Sequence, residues 1–510
     1  MNHLNEFIDF PWKNGVLNKK YEKSFIHLNP AVERVTGEIL LASLYRRVGF
    51  SNDVPENDVP IYGRKLVKNL DRKKRPAGGI SSIDLDDDIW HQIVKKSLTS
   101  PKQSNQSKKQ FLQLSPLVPD STIYSMSARL APGSWNAGKL IAKTISLGTE
   151  SNQHGIDIWQ TLYDKLSVND ESDDVWARLI QKELQTWREK TLVDAWKKPI
   201  DLPLTNDEKE YRVDLSIPAK YFVQDLEAIL SLKETLTRRQ WTSLLESLCR
   251  VAASAHVMWL CNVNEKCASM FENALKHGKY PTEDEVTEKL SQKEAFWALD
   301  QPTTKTIEET VRGYIQGRCA MNLILWSVFE NRDINVDKID LTTPLGIYQT
   351  LKYLAENNTK FDYTEYRSRL SDILENDPGV MACKKGKSKN ILEFLTHVIR
   401  QKQTSEAGLE SYDQGYFSRK RRNRWVVGLG PTSLLMMVHC TTTLTNGPCT
   451  IGDLVNHLAK YGFEADFHQN NSNYFYKLLR SLGLVIDSPD AEGGMIIISP
   501  LHSSTSQVVK

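Results

Sequence analysis

The chain has 510 residues, which is long enough for two to four domains that each bury a core of their own. Hydrophobic residues make up 40% of it and charged residues 25%, a balance that excludes a disordered protein. The formal net charge of +2 excludes a basic coat over the whole surface. Any electrostatic partner must therefore bind at a local site.

The chain offers no clear membrane segment or secretory signal. Its longest apolar stretch, residues 251–261, contains Ser254 and His256 and is shorter than the roughly 20 residues that a membrane-spanning helix needs. The first residues lack the basic start and apolar run of a signal peptide. We therefore expect a cytoplasmic protein with no membrane partner.

The seven cysteines are scattered through apolar patterns and form no CxxC pair. This usage is typical of reduced thiols in a protein core. It predicts neither a disulfide framework nor a zinc site, and we expect no bound metal and no cofactor.

The pattern of apolar residues predicts a mainly α fold with several domains. We expect a mixed or helical N-terminal region over residues 1–96, a polar linker over 97–110 and a helical body over 111–403. No fixed-period repeat indicates a solenoid. The predicted helices of the body span residues 175–196, 219–236, 240–262, 268–276, 283–299, 307–330, 344–356, 363–375 and 390–401.

Residues 404–425 are polar and then strongly basic, and we interpret them as a linker or arm. Between residues 384 and 425, eleven Lys or Arg face only four Asp or Glu. Cations of this kind can hold nucleic-acid phosphates, although a run of cations is often only a solvated linker. The run ends in Arg419, Lys420, Arg421, Arg422 and Arg424.

The segment from 426 to 510 predicts a small domain of three helices and a hairpin. Pro431 indicates the start of a first helix, and Thr450 caps a second. A third helix is expected over 470–482. Two β-runs, 484–486 and 495–498, are separated by turn residues and predict a hairpin.

This order resembles the winged helix-turn-helix superfamily, over residues 431–500 only. In that superfamily the third helix enters the major groove of DNA and the hairpin touches the backbone. Asn and Gln can read adenine, whereas Lys and Arg mainly hold phosphates. The resemblance implies contacts to duplex DNA from Gln469, Asn470, Asn473, Tyr474, Lys477 and Arg480.

The charge of this segment argues against DNA. Residues 426–510 contain four basic and six acidic residues. Three of the acids, Asp487, Asp490 and Glu492, lie in the expected hairpin turn and would repel phosphate. Winged helices also serve as protein-docking modules, so protein docking stays an open alternative.

Two motifs with catalytic associations are weak. Gly133, Gly138 and Lys139 have the spacing of a phosphate-binding loop, but Leu140 stands where a Ser or Thr should hold magnesium. His277 opens an HxKxxxxD pattern that occurs once, where the nuclease family with this spacing needs two copies. We predict no catalytic residue, and leave open a metal-dependent nuclease or ATPase with an unrecognised site.

We therefore interpret the chain as a non-catalytic DNA-binding or scaffold subunit. A helical body joined to a basic arm and a winged helix looks like accessory subunits of bacterial antiphage defence or restriction systems, an analogy of architecture alone. The expected partners are duplex DNA, bound mainly through its backbone, and other protein subunits of the same system. The first alternative is a protein-docking scaffold that binds no DNA.

Overall fold

The computed structural model describes the greater part of the chain, and it is mainly helical, as the sequence predicts. The described residues are 21, 24–28, 37–50, 87–100, 114–123, 137–169, 173–187, 196–204, 213, 215–291, 294–330, 335–402, 413–464, 474–486 and 495–501.

The body consists of helices that enclose one long central helix. In chain order the elements are α1 (Gly37–Gly49), α2 (Asp87–Leu98), α3 (Pro119–Ile123), α4 (Ala137–Gly148), α5 (Asn152–Leu166), α6 (Val175–Trp187), α7 (Pro218–Ser231), α8 (Arg238–His277), α9 (Glu283–Leu290), β1 (Trp297–Ala298), α10 (Thr303–Glu330), α11 (Pro344–Glu356), α12 (Tyr363–Glu375), α13 (Pro378–Met381) and α14 (Gly386–Ile399).

The remaining described elements are six short strands and three helices. They are β2 (Ser418–Arg421), β3 (Arg424–Val427), α15 (Pro431–Leu444), β4 (Cys449–Thr450), α16 (Ile451–Ala459), β5 (Phe463–Glu464), α17 (Tyr474–Ser481), β6 (Val485–Ile486) and β7 (Ile496–Ile497). Strands β2 and β3 pair antiparallel, a second sheet has the order β4-β7-β6, and β5 pairs with β1 of the body.

Helix α8 is a single element of 40 residues, whereas the sequence predicts two helices with a break near residue 265. It contains neither glycine nor proline, begins with a capping box from Thr237 and Gln240, and ends at Gly278, whose φ is 61°. The polar residues at the expected break include Asn264, which is buried. Its side chain donates to the Ile26 carbonyl at 2.8 Å and accepts from the Tyr21 hydroxyl at 3.1 Å.

Among the described residues, α8 is the one helix long and apolar enough to cross a membrane. The whole of its most apolar window is buried inside the fold, where other helices pack around it. Helix α10 packs most extensively against it. The burial of this long apolar helix therefore identifies α8 as the core helix of the fold.

The predicted helix over 283–299 ends at Leu290, and a short strand follows. Strand β1 pairs in parallel with β5, so that Trp297 lies beside Phe463. The Trp297 amide donates to the Gly462 carbonyl at 2.9 Å. This strand forms because it pairs with a segment more than 160 positions away, so the local pattern of apolar residues cannot predict it.

The C-terminal elements share one continuous core with the body, so the expected boundary between them does not separate two cores. Helix α15 packs on α7 and α8. Asp225 of α7 accepts hydrogen bonds from the Tyr461 hydroxyl at 2.6 Å and pairs with His457 at 2.9 Å, with all three side chains buried. Removal of residues 426–510 would therefore expose the apolar faces of α7 and α8.

Two arginines of α8 fix surrounding segments through buried ion pairs. Arg238 bonds Asp173 at 3.0 Å, and Arg250 bonds Asp413 at 2.7 Å. Arg250 also donates to the backbone carbonyls of Val398 and Arg400. Arg250 thus holds the end of α14 and the approach to β2 against the central helix.

All seven cysteines are buried and free, as the sequence predicts. Burial raises the pKa of the Cys249 and Cys261 thiols, so both stay protonated. They serve as small apolar side chains of the core.

Candidate nucleic-acid interface

The basic run expected as an arm is a β-hairpin in the structure. Strands β2 and β3 pair with Ser418 opposite Val427 and Arg421 opposite Arg424. Arg422 and Asn423 form the two-residue loop. The cations lie on β2, at the loop and at the first residue of β3, whereas the end of β3 is apolar and buried at Val426 and Val427.

The base of this hairpin is anchored in the body. Ser418 forms a bridge with Arg400, and Val427 and Val426 form bridges with Leu299 and Pro302. The Val427 amide donates to the Gln301 carbonyl at 2.9 Å. Ser418 and both valines are buried. The described residues 413–425 are thus part of the fold and are not a linker.

The tip of the hairpin carries four exposed cations: Lys420, Arg421, Arg422 and Arg424. Arg421 and Arg424 lie directly opposite each other, and like charges in such a cross-strand pair destabilise a hairpin. Arg422 has a φ of 54°. Two-residue hairpin loops require a positive φ at that position, where glycine is the least strained residue. The tip thus keeps cations at positions where they weaken the hairpin.

Arg419 differs from the four cations at the tip because its side chain is largely buried and lies close to both a carboxylate and an aromatic ring. Its guanidinium bonds the Asp300 carboxylate at 2.9 Å and lies 3.7 Å from the centre of the Tyr474 ring. The Tyr474 hydroxyl is 3.4 Å from that of Tyr416. Burial raises the pKa of Tyr416, and the hydrogen bond with Tyr474 raises it further, so this phenol is neutral. Arg419 thereby joins the hairpin to the first residue of α17.

Helix α17 continues the basic surface away from the hairpin. It begins at Tyr474, ends next to Gly483, and buries Phe475 on its inner side. Lys477 and Arg480 are exposed. The structure therefore places Tyr474 against Arg419 of the hairpin, and Lys477 and Arg480 lie exposed on the same helix. Gln469, Asn470 and Asn473 lie outside the described residues, as do the three acids of the expected hairpin turn.

The small sheet beyond α17 has an apolar outer face. Ile486 of β6 lies opposite Ile496 of β7, and the two side chains are 50% and 39% exposed. Thr450 of β4 continues the same row. The expected pairing of residues 484–486 with 495–498 is confirmed, whereas β4 as a third strand is not predicted by the sequence.

The structure does not support a phosphate loop at Gly138 and Lys139. Gly138 is the second residue of α4, and its amide already donates to the Ser43 hydroxyl at 2.8 Å. A Cβ atom at Gly138 would lie 2.4 Å from the Ser43 carbonyl oxygen. Gly138 therefore permits close packing of α4 on α1. Gly133 lies outside the described residues.

The described part of the chain contains no group of three His, Cys, Asp or Glu side chains placed to hold a metal ion. His277 is the exposed last residue of α8 and does not follow a strand.

The sequence does not predict two residues of the site, Asp300 and Tyr416. Each lies in a short connection and contacts a residue that is distant in the chain, so no local pattern indicates them.

No protein-family model matches the chain, and no curated protein is found to be similar to it.

Proposed function

We propose that the hairpin β2–β3 and helix α17 form one nucleic-acid-binding surface, and that the protein is a non-catalytic DNA-binding subunit. The observation that carries this proposal is the contact of Arg419 with Tyr474, which joins four exposed cations to the first turn of α17. Nucleic-acid affinity depends mainly on cations that replace the counterions of phosphates. The hairpin supplies the positive charge that residues 426–510 lack.

The element order supports assignment of residues 431–500 to the winged helix-turn-helix superfamily. Helices α15, α16 and α17 are followed by the paired strands β6 and β7. In such a domain the third helix would enter the major groove. The exposed side chains of Lys477 and Arg480 then lie on the helix that faces DNA, and Arg419 of strand β2 contacts the first residue of that helix.

A two-part surface of this kind has a physical advantage. Helix α17 has eight residues and is about 12 Å long, which is too short to reach many phosphates. The hairpin adds cations on a base fixed by the body, so little conformational entropy is lost when it binds. Strong dependence on salt and weak dependence on base sequence are the expected properties.

Fluorescence anisotropy with a labelled random duplex, at low and moderate salt, tests the proposal. The test variant changes Lys420, Arg421, Arg422 and Arg424 to Gln. We expect wild-type affinity to fall steeply with salt. The variant should bind weakly, and the salt slope should be smaller by about 0.9 for each phosphate that the variant no longer neutralises.

A matched control removes the same charge at the far end of α8. Lys276, Lys279, Lys352 and Lys360 are exposed and lie at or beside the end of that helix, about 40 Å along it from Arg250. Their change to Gln should leave binding nearly intact. Equal losses of affinity in both variants, or wild-type binding that does not respond to salt, would contradict the proposed site. Point variants are preferable to truncation because residues 426–510 share the core of the body.

The second candidate function is protein docking without DNA binding, and the exposed pair Ile486 and Ile496 favours it. Apolar residues adjacent on a sheet face are a common feature of protein interfaces. In this alternative the wild-type protein binds no duplex even at low salt, and Ile486→Glu abolishes binding of the partner subunit.

A role in bacterial antiphage defence or restriction, among other subunits and in the cytoplasm, stays a prediction that rests on architecture.

A further inference from the structure

Asp300 lies beside the proposed nucleic-acid surface and faces two of its cations. Its Oδ1 atom is 2.9 Å from Nη2 of Arg419 and 3.8 Å from Nη1 of Arg421. The carboxylate is 29% exposed, so solvent reaches it. A single acidic oxygen thus lies close to two guanidinium groups, which bind carboxylate and phosphate oxygens by the same kind of charge-assisted hydrogen bond.

The backbone of Asp300 is held in an uncommon conformation. Its φ is 61°, and its amide donates to the Val427 carbonyl of β3 at 3.0 Å. Among the described residues, four that are not glycine have a positive φ, and Asp300 and Arg422 are the two that flank this surface. Strained residues persist where the surrounding structure fixes them, often at functional sites. The bond to β3 fixes the carboxylate relative to the hairpin.

We propose that Asp300 occupies the place of a nucleic-acid phosphate and thereby limits the affinity of the surface. The inference rests on the proposed function and names how the same site is regulated. When no ligand is bound, the carboxylate neutralises one positive charge and engages Arg419 and Arg421. When a nucleic acid binds, a backbone phosphate competes with Asp300 for Arg421, the more exposed of the two arginines at 62%. Lys420, Arg422 and Arg424 bind neighbouring phosphates and favour the exchange.

The opposite role would be to orient the arginines for the ligand. The geometry argues against orientation as the main effect. Arg419 is already held by the Tyr474 ring, and Arg421 is 3.8 Å from the carboxylate, beyond normal hydrogen-bond length. Loss of the carboxylate therefore frees Arg421 for a phosphate and leaves Arg419 in place.

The test compares duplex affinity of the wild-type protein and Asp300→Asn by fluorescence anisotropy over a range of salt concentrations. Asn adopts a positive φ readily, so this variant keeps the backbone conformation. We expect affinity to rise about twofold to tenfold, because one or two exposed charge contacts contribute free energies of that size. The salt slope should steepen by up to about 0.9 for each arginine that newly binds a phosphate.

Two controls separate the contact from a general change in charge. Glu464 is an exposed acid on β5, and its backbone carbonyl accepts a hydrogen bond from the Leu299 amide. Glu464→Gln should leave affinity nearly unchanged. In a background with Arg419→Gln and Arg421→Gln, the increase in affinity from Asp300→Asn should disappear, because the carboxylate acts through these two side chains. Should Asp300→Asn fail to fold, Asp300→Gly removes the same charge and suits the positive φ better.

The outcomes separate this inference from the function on which it rests. Wild-type binding that is unchanged or weaker in Asp300→Asn overturns the role of Asp300 and leaves the nucleic-acid surface standing. Absence of binding in both proteins overturns the proposed function itself. Binding by Asp300→Asn alone supports both, with Asp300 as a complete block in the wild type.

Discussion

The arginines of the central helix and those of the hairpin tip differ in how their charges are balanced. Arg238 and Arg250 are buried, and each has a carboxylate within 3.0 Å and backbone carbonyls as further acceptors. Arg422 and Arg424 are exposed at the tip, where Arg424 faces the like charge of Arg421. A charge that is removed from water must be paired, whereas an exposed one need not be.

This difference separates arginines that stabilise the fold from arginines available to a ligand. Burial lowers the pKa of Arg250, but the charges of Asp413 and Glu246 outweigh it and raise the pKa overall. Arg250 therefore carries its charge at all ordinary pH values as part of the core. The tip cations add nothing to the core, and their mutual repulsion lowers stability. Variants in the two regions should accordingly affect different measurements.

The largest expected effect comes from Asp413→Ala, which removes the closer of the two carboxylates that pair with Arg250 and leaves its buried charge with only the more distant Glu246. We expect the free energy of unfolding to fall by about 3–5 kcal/mol, as measured by urea denaturation. Arg424→Met at the hairpin tip is the control and should change it by no more than about 0.5 kcal/mol. A decrease below about 1 kcal/mol for Asp413→Ala would mean that the buried pair does not hold the approach to β2.

A buried histidine on α8 extends the comparison to a group that is kept uncharged. Burial, together with a smaller effect of the charge of Lys143, lowers the pKa of His256 from 6.5 to about 3. The folded pKa lies below the unfolded one, so stability is full above pH 6.5 and falls as the pH drops toward 3. The expected slope is about 1.4 kcal/mol per pH unit.

His256→Leu should flatten this dependence while it changes stability at pH 7 only modestly, since neither ring nitrogen of His256 has a hydrogen-bond partner in the described structure. Urea denaturation at pH 7, 6, 5 and 4 measures the slope. His277→Gln, at the exposed end of the same helix, is the control and should leave the slope as it is. An unchanged slope in His256→Leu would assign the acid sensitivity to other groups.

Helix positions follow well from the sequence where one face is apolar and the caps are local. The predicted helices over 344–356 and 363–375 match α11 and α12. The cap from Thr450 and the helix start at Pro431 are also confirmed. These signals succeed because each helix satisfies its backbone hydrogen bonds within itself.

Distant contacts account for what the sequence does not predict. The sequence indicates an arm where the hairpin lies because both strands are short and rich in cations, and only the anchored base shows that they pair. The contact of Arg419 with Asp300 joins residues more than a hundred positions apart. The sequence predicts which residues carry the charge, whereas the structure places Arg419 of that run beside α17.

The smallest expected effect concerns Arg422, whose positive φ weakens the hairpin and whose charge belongs to the proposed nucleic-acid surface. Arg422→Ala removes the charge and keeps the strain, whereas Arg422→Gly removes both. An L-residue in this conformation costs about 1 kcal/mol relative to glycine. Thermal unfolding should therefore show Arg422→Gly to be more stable than Arg422→Ala by about 0.5–1 kcal/mol. Both variants should show the same decrease in duplex affinity in anisotropy. If affinity fell in the alanine variant alone, the shape of the loop and not the charge of Arg422 would determine binding. At this residue the effects on stability and on ligand binding would then not be separable.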